Sequence, residues 1–287
     1  MGSLITSVEA VLEKHRVYLG HGTDNYWDEA VHLVCYVLDL PIDSDPSVMG
    51  DEVENTEEMV SELNRCLHYR VEECVPLPYI TRTAWFAAMP FYIDERALIP
   101  RSPIAELLVK QFQPWLTVYP DNILDLCCGG GCIGIAAAHY FQDSKVDMVD
   151  ISEDALDVAR ENIGIYALEN RVEVFNSNLF DQLPDKKYQL IISNPPYVDE
   201  GDMSSLPAEF EHEPVLALAA GVDGLDIVRE ILDKADRFLT DDGILVVEVG
   251  NSQPALEEAF SHLPFVWLEF EHGGSGVFLL KATDLKQ

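Results

Sequence analysis

Apolar side chains recur at helical spacing in three N-terminal stretches: Leu4, Ile5, Val8, Val11 and Leu12, then Val31, Leu33, Val34, Val37 and Leu38, then Met59, Val60, Leu63 and Leu67. A period of three to four residues gathers such positions on one stripe, which predicts amphipathic helices over 4–19, 26–38 and 57–73. Pro41 closes the second, and the acidic stretch from Asp43 to Glu58 has little periodicity. Residues 1–78 therefore read as a small helical domain. From Tyr79 to Ile99 the pattern turns to aromatic and β-branched residues around Met89-Pro90, which predicts a hairpin-like connector over 79–99, with Trp85 and Phe86 packing the domain junction.

Beyond residue 100, Ser102 can cap and Pro103 can open a helix over 104–112, with Arg101 beside its start as a candidate contact for an anionic group. After Pro120, strand and helix signals alternate. Strands are predicted over 123–127, 145–150, 172–175 and 188–193, with helices after Gly131 and over 153–166. A long loop then leads to a helix over 224–239, a strand over 244–249, a helix over 254–263 and strands over 265–270 and 276–281. That alternation marks an α/β fold with a doubly wound parallel sheet, here over 100–287.

The chain has 287 residues, 48% of them hydrophobic, enough to bury a core, and shows no repeats or low-complexity tract. Its net charge of −33 repels phosphate and attracts basic partners, so a basic protein substrate suits it and direct nucleic-acid binding does not. The six cysteines, Cys35, Cys66, Cys74, Cys127, Cys128 and Cys132, include no C-x-x-C pair and read as reduced, mostly buried thiols, with no metal site expected. No stretch resembles a secretion signal or a membrane span, and the reading is a cytoplasmic protein with no membrane partner.

Candidate chemistry sits where strands end. Gly129, Gly131 and Gly134 follow the first strand at G-x-G-x-x-G spacing, which lets the backbone turn tightly at a helix N-terminus and suits either a nicotinamide cofactor or S-adenosylmethionine. Asp150 ends the second strand, where a carboxylate can accept ribose hydroxyls, or cap the helix that follows. Asn178 follows the third, where an amide can meet an adenine edge and Leu179 or Phe180 can cover the ring. Asn194-Pro195-Pro196-Tyr197 follows the fourth as a stiff polar corner whose carbonyls stay free to accept hydrogen bonds.

Asp125 with Gly129 and Gly131, Asp150, Asn178 and the Asn-Pro-Pro-Tyr corner, in that order at successive strand ends, resembles the class I S-adenosylmethionine-dependent methyltransferases over residues 96–287. The resemblance implies strand order 3-2-1-4-5-7-6 with the seventh strand antiparallel. It also implies S-adenosylmethionine bound by Asp125, Cys127, Gly129, Gly131, Asp150, Ile151, Asn178, Leu179, Asn194 and Arg101. The corner itself is similar to that of enzymes alkylating planar nitrogens: the HemK-type protein glutamine methyltransferases and the amino-adenine methyltransferases. In both, the –NH2 lone pair is delocalised and must be freed and aimed at the methyl carbon. The Asn194 side-chain oxygen and the Pro195 carbonyl would accept the two N–H groups, and Pro196 and Tyr197 would wall the flat acceptor.

Two flanks choose within that class. The run from Ala97 to Leu107, with its Arg101-Ser102-Pro103-Ile104 core, and the segments around Asp202–Gly221 and Asp223–Asp226 look like the HemK-type branch acting on protein number three of the large ribosomal subunit. The release-factor branch usually carries an R-P-E-T form at the first flank. The implied reaction is methyl transfer to a glutamine side-chain nitrogen in a large-subunit ribosomal protein. Its rivals are the same chemistry on release factors, adenine methylation of nucleic acid, and a non-catalytic S-adenosylmethionine-binding assembly factor. Asn178 stands where aspartate is common and Ser275 where histidine is expected, so Ser275 is given no role, and His212 reads as a hydrogen-bonded structural residue.

Overall fold

In the computed structural model, which describes residues 2–42 and 56–286, the three N-terminal stripes fold as helices: α1 (Gly2–His15), α2 (Tyr26–Val37) and α3 (Glu57–Val71). Asn25 and Thr56 cap α2 and α3 by accepting the Asp28 and Met59 N–H groups, and Glu57 and Glu58 sit in the first turn of α3, where carboxylates favour the helix dipole. The acidic stretch expected from Asp43 lies, as far as position 55, outside the described residues. A short helix, α4 (Leu77–Thr81), begins with a proline in its first turn where the sequence suggested only a connector. Ile5, Leu12, Leu33, Val34, Leu63 and Ile80 meet in a core of their own.

This helical unit runs through Ala84 and also takes in Pro207–His212 from far along the chain, so the expected boundary at residue 78 moves and the loop segment changes domain. Buried charge explains the recruitment. Arg70, only 2% exposed, donates to Glu29, to Glu209 (3.3 Å) and to the Tyr18 carbonyl (2.6 Å), while Glu209 also accepts the Tyr18 N–H (3.1 Å). Phe210 packs on the Tyr18 and His21 rings, and the His212 ring donates to the Glu73 carbonyl (2.8 Å), the structural role expected of it.

The expected hairpin is β1 (Thr83–Phe86) and β2 (Met89–Tyr92), but it turns at Ala87-Ala88, both at positive φ, one step before Met89-Pro90. Phe86 is buried, whereas Trp85, on the alternate face of β1, is 43% exposed. The second unit continues with α5 (Ile104–Val109), β3 (Asn122–Leu126), α6 (Cys132–Tyr140), β4 (Lys145–Asp150), α7 (Glu153–Ile165), β5 (Val172–Asn176), β6 (Tyr188–Ser193) and α8 (Glu200–Met203). It ends with α9 (Asp226–Lys234), β7 (Leu239–Glu248), α10 (Gln253–Ala259), β8 (Val266–Trp267), β9 (Val277–Lys281) and α11 (Ala282–Leu285). Helix α5 stops short of residue 112 because Gln111 and Phe112 adopt positive φ. Helix α9 begins at Asp226 and yields to β7 at Leu239, shorter at both ends than predicted.

These described strands form one seven-stranded sheet ordered β5-β4-β3-β6-β7-β9-β8, with β9 antiparallel to both neighbours, which is the expected 3-2-1-4-5-7-6. Side chains of a strand alternate between faces, so Leu190, Ile192, Ile244 and Val246 join one apolar layer with α5 and α6. Ile191, Leu245 and Val247 join the other with α9. The sheet is thus covered on both faces, and ligands are left its C-terminal edge. The six cysteines are free thiols; Cys35, Cys66 and Cys128 are buried and the others half-buried.

Candidate active site

Strand register assembles the site. Leu126 lies opposite Val149 on one side and Ser193 on the other, so the residues that follow, Cys127, Asp150 and Asn194, stand side by side at the sheet edge. Asp150 in turn lies opposite Asn176, which brings Ser177, Asn178 and Leu179 to the next place along. Four chain segments far apart in sequence therefore converge where the parallel strands end.

There they line a cavity of about 160 Å³. Cys127, Gly129, Asp150, Ile151, Asn178, Leu179, Asn194 and Pro196 all face it, so most of the residues expected at the cofactor are brought together. Asp150 accepts the Gly129 N–H (2.8 Å) and the Ser152 N–H (2.9 Å), one on each oxygen, and keeps lone pairs for a further donor. Burial pushes its carboxyl above the ordinary value, opposed by those N–H groups. Gly129 has φ +53 and open space where a Cβ would stand. The Asn194 side-chain oxygen is buried with no hydrogen-bond partner among the described residues. An open glycine cradle, a carboxylate with spare lone pairs, an amide and an unused acceptor are a set of groups that fits S-adenosylmethionine beside an amide nitrogen. Among the described residues no cluster of His, Cys, Asp or Glu could hold a metal ion.

The corner after β6 is gripped firmly. Tyr197 donates its hydroxyl to Glu248 (2.8 Å), its carbonyl accepts from Ser252 (2.9 Å), and its ring lies where a Cβ on Gly250 would stand, 2.6 Å away. Glu248, at the end of β7, also accepts from Ser102 (2.5 Å), whose oxygen takes the Ile104 N–H at the start of α5, although the capping position itself is held by Pro103 and not by Ser102 as expected. Burial raises the Glu248 carboxyl and the Tyr197 phenol, the latter also because Glu248 beside it favours its neutral form. Pro195 is buried, and neither it nor Tyr197 is among the residues facing the cavity.

Other expected residues serve elsewhere. Asp125 is fully buried and accepts the Gly134 N–H (2.8 Å) in the first turn of α6, so it braces the glycine turn from beneath and does not face the cavity. Gly131 sits at φ +83, a left-handed conformation that favours glycine, and it is not among the residues facing the cavity. Phe180 stacks on Phe238 within the core, leaving Leu179 at the cavity. Arg101 forms a two-pronged pair with Glu213 (2.7 and 2.8 Å) and lines a smaller adjoining cavity of about 50 Å³ that shares Leu98, Cys127, Gly129 and Asn194 with the first. Unforeseen were Arg96, which is held by Asp94 (2.7 Å), Ala97 and Leu98 from the linker, and Pro214, Leu216, Ala217 and Ala219 from the long loop. An apolar run inside a loop without strand or helix period was the one available signal, for Leu216 is 58% exposed yet apolar.

Comparison with known proteins places this geometry. Residues 103–213 match the family model described as Methyltransferase small domain. A crystal structure of the hMettl16 catalytic domain in complex with MAT2A 3′UTR hairpin 6 superposes with a TM-score of 0.53 over 77% of this chain and 80% of that one; at 16% identity the likeness is one of fold. The ribosomal protein uL3 glutamine methyltransferase of Francisella tularensis is 48% identical over 94% of this chain and 86% of its own length. That of Neisseria gonorrhoeae is 44% identical over 94% of this chain and 90% of its own. With such identity along nearly the whole chain, and its strand-end residues meeting at one cavity, the chain belongs to the ribosomal protein uL3 glutamine methyltransferase family.

Proposed function

We propose that this chain methylates the side-chain amide nitrogen of a glutamine in ribosomal protein uL3, acting in the cytoplasm. S-adenosylmethionine, when bound, supplies an electrophilic methyl carbon. The observation that carries the reading is the buried, unpartnered Asn194 oxygen at the edge of the cavity lined by Asp150 and Gly129. A buried acceptor without a partner costs the fold stability, and an incoming N–H recovers that loss.

In this reading Asn194 and the Pro195 carbonyl take the two amide hydrogens, turning the nitrogen lone pair out of conjugation and stabilising the positive charge that grows on it. Pro195, Pro196 and Tyr197, clamped by Glu248 and Ser252, hold that geometry without reorganisation. No strong base is needed, because the alkylated nitrogen loses its proton readily afterwards. Asp150 receives hydroxyls, Cys127, Gly129, Ile151 and Leu179 wall the cofactor, and Asn178 faces its base. The net charge of −33 favours encounter with a basic protein over nucleic acid.

The test is incubation with methyl-labelled S-adenosylmethionine and, in separate reactions, purified uL3, release factors and ribosomal RNA. Label is expected on uL3, at a glutamine by peptide mapping. Label confined to release factors or RNA, or absent altogether, would sink the proposal.

A further inference from the structure

The cavity has walls of two kinds. Cys127, Asp150 and Asn194 stand directly on strand ends and are positioned by the sheet's own hydrogen bonds. Leu98, Pro214, Leu216 and Ala217 lie in segments outside the sheet. An ion pair ties those segments together. Glu213, whose side chain has no solvent exposure, receives both prongs of Arg101 and the Ile99 N–H (3.1 Å); Arg101 also donates to the Ile99 carbonyl (3.3 Å). Ile99 adjoins Leu98 and Glu213 adjoins Pro214, so the pair fastens linker to loop at the residue next to each wall position. At its far end the loop is secured by the residue after the corner: Val198 donates to Leu218 and accepts from Ala220, both at 2.9 Å.

We infer that Arg101 and Glu213 together are positioning residues, which hold the loop-built wall of the cavity at the distance the cofactor needs; this rests on the S-adenosylmethionine reading above. A planar guanidinium matching a carboxylate at two points fixes orientation as well as distance, which a lysine cannot do. Removing Arg101 leaves the buried Glu213 carboxylate unmatched, and removing Glu213 frees the half-buried Arg101 guanidinium from the linker–loop junction; either way the wall is no longer held.

The experiment uses the whole chain with S-adenosylhomocysteine, titrated by calorimetry, and amide hydrogen exchange without ligand. Arg101→Ala and Glu213→Gln are each expected to weaken binding roughly tenfold, and the double variant no further than the weaker single, since both remove one interaction. Exchange is expected to quicken at Val198 and Ala220 in every variant, while Arg101→Lys, which keeps the charge but not the fork, falls between; it also replaces Arg101→Ala should that variant not fold. Two outcomes overturn the inference: Arg101→Ala weakens binding while Glu213→Gln does not, or the two losses add. Exchange unchanged in all variants overturns it as well. A wild-type chain that binds no S-adenosylhomocysteine removes the cofactor reading, while quickened exchange in the variants still supports the brace.

Discussion

Two buried polar clusters in this protein are built on opposite terms. In the helical unit, Arg70 is matched on every side, by Glu29, by Glu209 and by the Tyr18 carbonyl, and Glu29 in turn accepts from Thr23 (2.6 Å). At the C-terminal edge of the sheet, Asn194 and Asp125 each keep a buried oxygen with no partner among the described residues. A satisfied cluster holds the fold, and in this chain it recruits Pro207–His212 to the helices. An unsatisfied group is a cost to the fold; Asn194 lines the cavity, where an incoming donor can relieve it, whereas Asp125 does not. The same distinction separates residues within the corner, where Tyr197 is fully engaged and Asn194 is not.

The comparison can be broken first at its satisfied end. Arg70→Ala strands two buried carboxylates and is expected to cost about 3–5 kcal/mol of stability in denaturant unfolding, the usual penalty for halving a buried ion pair. A loss below about 1 kcal/mol would mean that the cluster is not what binds the loop segment to the helices. At the unsatisfied end, Asn194→Ala should leave the melting temperature nearly unchanged yet lower kcat for glutamine methylation by about 10²–10³-fold, the range seen when one preorganised group facing developing charge is removed. A large fall in melting temperature with little change in kcat would reverse the assignment.

The effect that is smallest per step of the measurement concerns Asp125, where the contrast is read by titration. Burial pushes its carboxyl from 3.8 up to about 8, aided by the charge of Asp150 and opposed by the Gly134 N–H. An acid with a raised folded-state value holds its proton more tightly when folded, so its contribution to stability is complete below about pH 4 and is lost as pH rises through about 8. Between those limits the wild type should lose up to about 1.4 kcal/mol per pH unit from this group, and Asp125→Asn should flatten the slope. Equal slopes in the two proteins, measured by urea unfolding from pH 5 to 8, would place the carboxyl in ordinary surroundings.

Much of the site was legible in the chain because parallel strands deliver their C-terminal neighbours to one edge. Asp150, Asn178 and Asn194 could be assigned from their places after apolar runs. Asp125 and Gly131 were also singled out, and in the structure neither faces the cavity: Asp125 accepts the Gly134 N–H and Gly131 makes the left-handed turn, placements that a strand-end carboxylate and a glycine share with ligand-facing ones in the sequence. The loop from Pro214 to Ala219 was marked by its apolar run and by its likeness to the family, but its place as a cavity wall was not legible. Its place depends on Glu213 meeting Arg101 across 112 positions, and a loop has no period to betray which side it presents.

What the sequence by itself determined is the alternation of elements, the order of motifs along the sheet edge and a stiff Asn-Pro-Pro-Tyr corner, because side-chain period, proline geometry and the handedness of crossover connections act locally and leave few topologies open. Only the tertiary structure decided which buried polar groups are matched and which are left open, and to which unit the loop at 207–212 belongs. Those outcomes turn on charge pairs between residues more than a hundred positions apart, whose energies depend on burial and geometry that exist only once the chain has folded.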